Sequence, residues 1–85
     1  MKTREMEIEI LMEDRCTKSE AEKHLKNGTT IFEDFEENFD KYMEEWSFDE
    51  EEKAEYRKMV AEKKPVADWG VVKLEGKTYY IQYVL

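Results

Sequence analysis

The chain has one cysteine, one proline, one histidine and three glycines among its 85 residues. Each scarcity excludes something. With Cys16 alone, no internal disulfide can form, so a small fold must hold by packing. A lone thiol suits a reducing compartment. His24 and Cys16 stand eight positions apart with no second pair, which excludes a zinc site. His24 sits among Glu20, Lys23 and Lys26, the setting of a surface histidine rather than a catalytic base. Gly70 and Gly76 lack phosphate-loop spacing. Long apolar runs are missing too. The stretch Ile10 to Met12 is typical, far short of the roughly 18 residues of a membrane span. Glu5, Glu7 and Glu9 break any apolar region of a secretory signal between Met1 and Glu9. A cytoplasmic location is expected, with no membrane partner.

What is present is charge and aromatic rings. Charged residues make up 42%, which alone would suit disorder. Aromatic residues make up 13% and recur at regular spacings, so one folded domain over 1–85 is expected. The net charge is −8, and its distribution is uneven. Between Glu33 and Glu55 there are 12 acidic residues against two basic ones, Lys41 and Lys53, a net −10. The rest of the chain holds 10 acidic and 12 basic residues, a net +2.

The spacing predicts helices first and a β-hairpin last, an α+β fold. Residues 4–13 read as a helix, although Met6, Ile8 and Ile10 also alternate like a strand that could join the hairpin. Thr17 and Glu20 form a capping box for a short helix carrying Ala21 and Leu25, closed by Asn27-Gly28. Thr30 and Glu33 repeat that pattern and predict a long aromatic helix to Trp46. Its apolar residues Ile31, Phe32, Phe35, Phe39, Tyr42, Met43 and Trp46 fall in an arc of about 120°. Ser47 and Glu50 predict a third box and a fourth helix, which Pro65 ends. Trp69 to Leu74 and Thr78 to Val84 read as two strands around Glu75-Gly76-Lys77. If Leu74 pairs near Lys77, Val72, Leu74, Tyr79, Ile81 and Tyr83 share one face, and Trp69, Val71 and Tyr80 the other. The hairpin is expected to pack on the long aromatic helix.

No catalytic or metal residue and no cofactor emerges, and an enzyme is not expected. The Asp49–Glu52 run lacks the alternation and glycine of a calcium loop. A helix-turn-helix reading places Glu33, Glu36, Glu37, Asp40 and Glu44 where DNA phosphates would lie, so direct nucleic-acid binding is rejected. The candidate partner-binding residues are therefore acidic: Glu33, Glu36, Glu37, Asp40, Glu44 and Glu51. A rigid row of carboxylates can imitate a phosphate backbone toward a basic, nucleic-acid-binding protein. The plain alternative is that the acidic face only solvates the domain. The other candidate interface is Trp69, Val71 and Tyr80, with an open strand edge ending at Leu85, through which a homodimer could form.

The strings Trp69-Gly70-Val71-Val72 and Gly76-Lys77-Thr78-Tyr79-Tyr80-Ile81-Gln82-Tyr83-Val84-Leu85 carry a resemblance. With Asn27-Gly28-Thr29-Thr30 and the Phe35–Phe39 segment, the chain resembles small acidic proteins, themselves uncharacterised, of Gram-positive bacteria and their phages or mobile elements. The resemblance implies an accessory or inhibitory role and brings no site residues.

Overall fold

A computed structural model describes residues 3–84. It contains four helices and a three-stranded antiparallel sheet, so the fold is α+β. The helices are α1 (Arg4–Glu13), α2 (Lys18–Lys26), α3 (Phe39–Glu45) and α4 (Glu50–Glu62). The strands are β1 (Thr30–Phe32), β2 (Trp69–Leu74) and β3 (Lys77–Gln82), in spatial order β1-β3-β2.

Residues 4–13 are helical, with the Thr3 hydroxyl accepting from the Met6 N–H at 3.2 Å. Ile10 and Leu11 are fully buried, which resolves the strand-like alternation in favour of a helix. The predicted capping box of α2 is formed. The Glu20 N–H donates to the Thr17 hydroxyl at 3.1 Å, and the Thr17 N–H to the Glu20 carboxylate at 2.9 Å. That backbone bond holds the Glu20 carboxyl below its ordinary value. Gly28, at φ 101°, ends the segment in the left-handed conformation that glycine adopts without strain.

The predicted long aromatic helix is not one element. Its first residues, Thr30–Phe32, form β1 and pair with β3, Ile31 opposite Ile81 and Phe32 opposite Tyr80. The Thr30 hydroxyl points back to the Gly28 carbonyl at 3.4 Å instead of capping a helix. Only residues 39–45 are helical. The reason is that Ile31 and Phe32 serve different cores. On a strand, successive side chains point to opposite faces, whereas a helix would place this pair together. The sheet therefore has three strands, not the two of the expected hairpin.

The hairpin itself follows the expected register, with Leu74 opposite Lys77. Its turn is two residues long, because Lys77 already belongs to β3. Glu75 and Gly76 both have positive φ, 51° and 81°, as a tight hairpin turn requires.

The sheet separates two cores. On one face Val72, Tyr79 and Ile81 pack with Ile10, Leu11, Ala21 and Leu25 from α1 and α2. On the other, Trp69 and Tyr80 pack with Phe35, Met43 and Met59, walled by Phe32, Tyr42, Trp46 and Tyr56. The expected partition of hairpin faces is thus present. Both faces are covered, the first by α1–α2 and the second by the chain from Phe35 through α4.

Candidate functional site

The six acidic candidates are exposed at the surface, but their surroundings differ. Glu33 faces Lys77 at 3.4 Å, and Glu36 faces Lys63 at 2.9 Å. Both lysines come from distant segments, so folding offsets two of the six charges locally. Exposed pairs of this kind contribute little stability. Asp40 and Glu44 lie one turn apart on α3. They line a shallow cavity of about 320 Å³ together with Met43, Glu50, Lys53 and Arg57. Lys53 also approaches Glu50 at 3.5 Å, and the Arg57 guanidinium lies 5.7 Å from the centre of the Phe39 ring. Glu37 stands exposed in the turn before α3, and Glu51 in the first turn of α4, where the helix dipole favours it.

Aromatic packing fixes this surface from behind. The Tyr42 hydroxyl donates to Asp34 at 3.0 Å, and the Asn38 amide donates to the other Asp34 oxygen at 2.9 Å. Burial, then this bond to Asp34, raises the Tyr42 hydroxyl above its ordinary pKa. Asp34 is therefore an internal fastener for the turn entering α3. The capping box of α4 is Asp49 with Glu52, two residues beyond the expected Ser47 with Glu50. Ser47 instead takes a left-handed conformation, φ 54°, where the chain reverses after α3.

The alternative interface fares differently. Trp69 is 7% exposed and Tyr80 is 0% exposed, while Val71 is half-buried against the same core. The Trp69 indole donates to the Tyr56 hydroxyl at 3.2 Å. These residues pack with Phe35, with Met43 of α3 and with Met59 of α4. Leu85, the end of the expected strand edge, lies outside the described residues.

A polar cluster absent from the sequence reading joins both ends of the chain. The Tyr83 hydroxyl donates to Asp14 at 2.6 Å, and Cys16 Sγ lies 3.7 Å from the same hydroxyl. The His24 ring meets the Tyr83 ring edge-on at 5.0 Å, and its Nδ1 lies 3.3 Å from the Val84 carbonyl. Asp14, Cys16, His24 and Tyr83 border an open cavity of about 310 Å³ with Asp68 and Trp69. Burial, then the bond to Asp14, raises the Tyr83 hydroxyl well above its ordinary value. It stays protonated as a donor, and a protonated phenol bound to a carboxylate serves as a clasp. The signal was faint in the sequence, since Asp14 and Tyr83 stand 69 positions apart.

Among the described residues, no three His, Cys, Asp or Glu side chains are grouped to hold a metal ion. Nor is any helix among them long and apolar enough to cross a membrane. Comparison with family models, curated proteins and solved structures finds no match to this chain.

Proposed function

We propose that this protein is a noncatalytic protein–protein interaction module whose acidic surface over residues 33–55 engages a basic partner. The observation that supports this reading is the segregation of charge. Twelve acidic residues and two basic ones occupy this span, while its rings turn inward onto the sheet. Glu37, Asp40, Glu44 and Glu51, the candidates that have no lysine partner among the described residues, form the core of the proposed surface. A basic protein that normally grips phosphates would meet spaced negative charges there, at a rate steered by long-range attraction. Glu33 and Glu36 then belong to the rim. The setting is the cytoplasm, in keeping with the free Cys16. The role is accessory or inhibitory, and the partner is a nucleic-acid-binding protein.

The test is retention of such a partner from the source organism's lysate on immobilised protein, washed at rising salt. The comparison is a variant carrying Glu37→Gln, Asp40→Asn, Glu44→Gln and Glu51→Gln. A basic nucleic-acid-binding protein released by salt, displaced by added DNA and lost with the variant supports the reading. Equal retention by both proteins, or none by either, leaves the acidic face as a solvating surface.

A further inference from the structure

A second surface, on the opposite side of the sheet from α3 and α4, has its own recognition chemistry. Along α1, Ile8 and Met12 are one turn apart, and Glu5, Glu9 and Glu13 form the adjoining row. With Lys18 at the start of α2, they line a groove of about 520 Å³. Its floor is apolar. Ile8 is half-buried against the first core, whereas Met12 lies outside both cores and is 46% exposed. Methionine is an unbranched, polarisable side chain that adapts to varied apolar partners. The wall is acidic, with three carboxylates at four-residue spacing, about 6 Å apart along the axis.

We propose that this groove docks an amphipathic helix of another protein. That helix lays an apolar seam over Ile8 and Met12 and sets a Lys or Arg row against Glu5, Glu9 and Glu13. The charge pattern selects this occupant. Three carboxylates against Lys18 leave the groove net negative, so a basic flank is attracted. A second copy of this chain is a poorer occupant, because the same groove on it offers one cation, Lys18, against three carboxylates. The apolar floor distinguishes this groove from a purely solvated acidic face, because a helix in a groove gains its affinity from buried anchors. The proposal does not depend on the surface over residues 33–55.

The probe is a synthetic helical peptide with a leucine seam and a lysine row at four-residue spacing. Its control is a scrambled peptide of the same composition. Each is titrated into the full-length ¹⁵N-labelled protein while backbone amide signals are followed. The expected result is shifts centred on Ile8, Met12 and Lys18 with the amphipathic peptide, and weaker binding of the scrambled one. Met12→Gln, an exposed site where folding is not at stake, should loosen binding about tenfold, as loss of an anchor does. Changing Glu5, Glu9 and Glu13 together to Gln should remove most of the salt dependence. Equal binding of both peptides, or shifts centred on Asp40 and Glu44, would overturn the proposal. So would no binding, or self-association of the protein alone that Met12→Gln abolishes.

Discussion

The Tyr83 hydroxyl reaches across 69 residues to donate a 2.6 Å hydrogen bond to Asp14. This bond fastens the chain leaving β3 to the C-cap of α1. A neighbouring bond fixes the same chain to the residue just before β1, where the Val84 N–H donates to the Thr29 hydroxyl at 2.9 Å. The chain leaving the last strand is thus held to both the end of the first helix and the segment entering the first strand.

Alkaline solution should weaken this clasp. Burial and the Asp14 bond raise Tyr83 from the ordinary 10.0, and burial also raises Tyr80. The folded state therefore keeps protons that the unfolded chain gives up. The stability contribution is complete below pH 10.0 and declines as pH rises toward the folded-state values. Urea midpoints measured from about pH 8 to about pH 11 should fall, and Tyr83→Phe should flatten that fall. At neutral pH the same variant should lose about 1–2 kcal/mol, because Asp14 loses a donor. A pH slope identical to that of the unmodified protein would separate the clasp from alkaline sensitivity.

Gly70 is the backbone floor under the same contact. A Cβ there would collide with an Asp14 carboxylate oxygen and come within 2.8 Å of Tyr83 Cε2. Gly70→Ala should therefore cost about 1–3 kcal/mol, as overpacking of a buried site does. Because the clash acts through the clasp, the cost should be non-additive. Tyr83→Phe introduced into Gly70→Ala should cost less than in the unmodified chain, by chemical denaturation of all four proteins. Additive costs would mean the glycine is required for another reason.

These contacts mark where local pattern ceased to inform. The α2 capping box, the hairpin register and the two hairpin faces depend on residues within a few positions of one another, and they were legible. The Thr30–Trp46 helix was misread because Ile31, Phe32 and Phe35 fit a helical arc as well as they fit a strand followed by a turn. What decides is the pairing of Thr30–Phe32 with β3, some fifty positions away, which no local spacing encodes. The candidate acidic residues were found by composition alone. That Lys63 and Lys77 approach Glu36 and Glu33 depends on tertiary structure, and so does the burial of Trp69 and Tyr80.

Ser47 and Asp49 offer a test of the revised helix start. A capping serine replaced by glycine loses only a few tenths of a kcal/mol, whereas a strained left-handed serine replaced by glycine gains stability. Ser47 has φ 54°, and Asp49 makes the capping bonds. Ser47→Gly should thus gain about 0.5–1 kcal/mol, and Asp49→Ala should lose about 1 kcal/mol. Thermal midpoints moving in opposite directions would confirm the start at Asp49. A loss in Ser47→Gly would return the cap to Ser47.

Tyr80 carries the one buried side-chain polar atom among the described residues that finds no hydrogen-bond partner. Its ring is fully buried beside Phe35, 5.2 Å between centres. Burial first, and then the nearby Glu36 charge, raises its hydroxyl pKa, yet Glu36 is engaged by Lys63 at 2.9 Å. The ring packs while the hydroxyl is desolvated without compensation, which costs about 1–3 kcal/mol. Tyr80→Phe keeps the ring and removes the uncompensated group. It should raise stability by about 1 kcal/mol, or roughly 4–8 °C in Tm for a domain of this size. It should also remove part of the alkaline loss described for Tyr83, because the proton that the fold retains on Tyr80 is gone. A drop in Tm would mean that the hydroxyl is satisfied after all, by water or by Glu36 turning from Lys63. Repeating the measurement with Lys63→Met would distinguish these, since releasing Glu36 should make Tyr80→Phe costlier only if Glu36 is the acceptor.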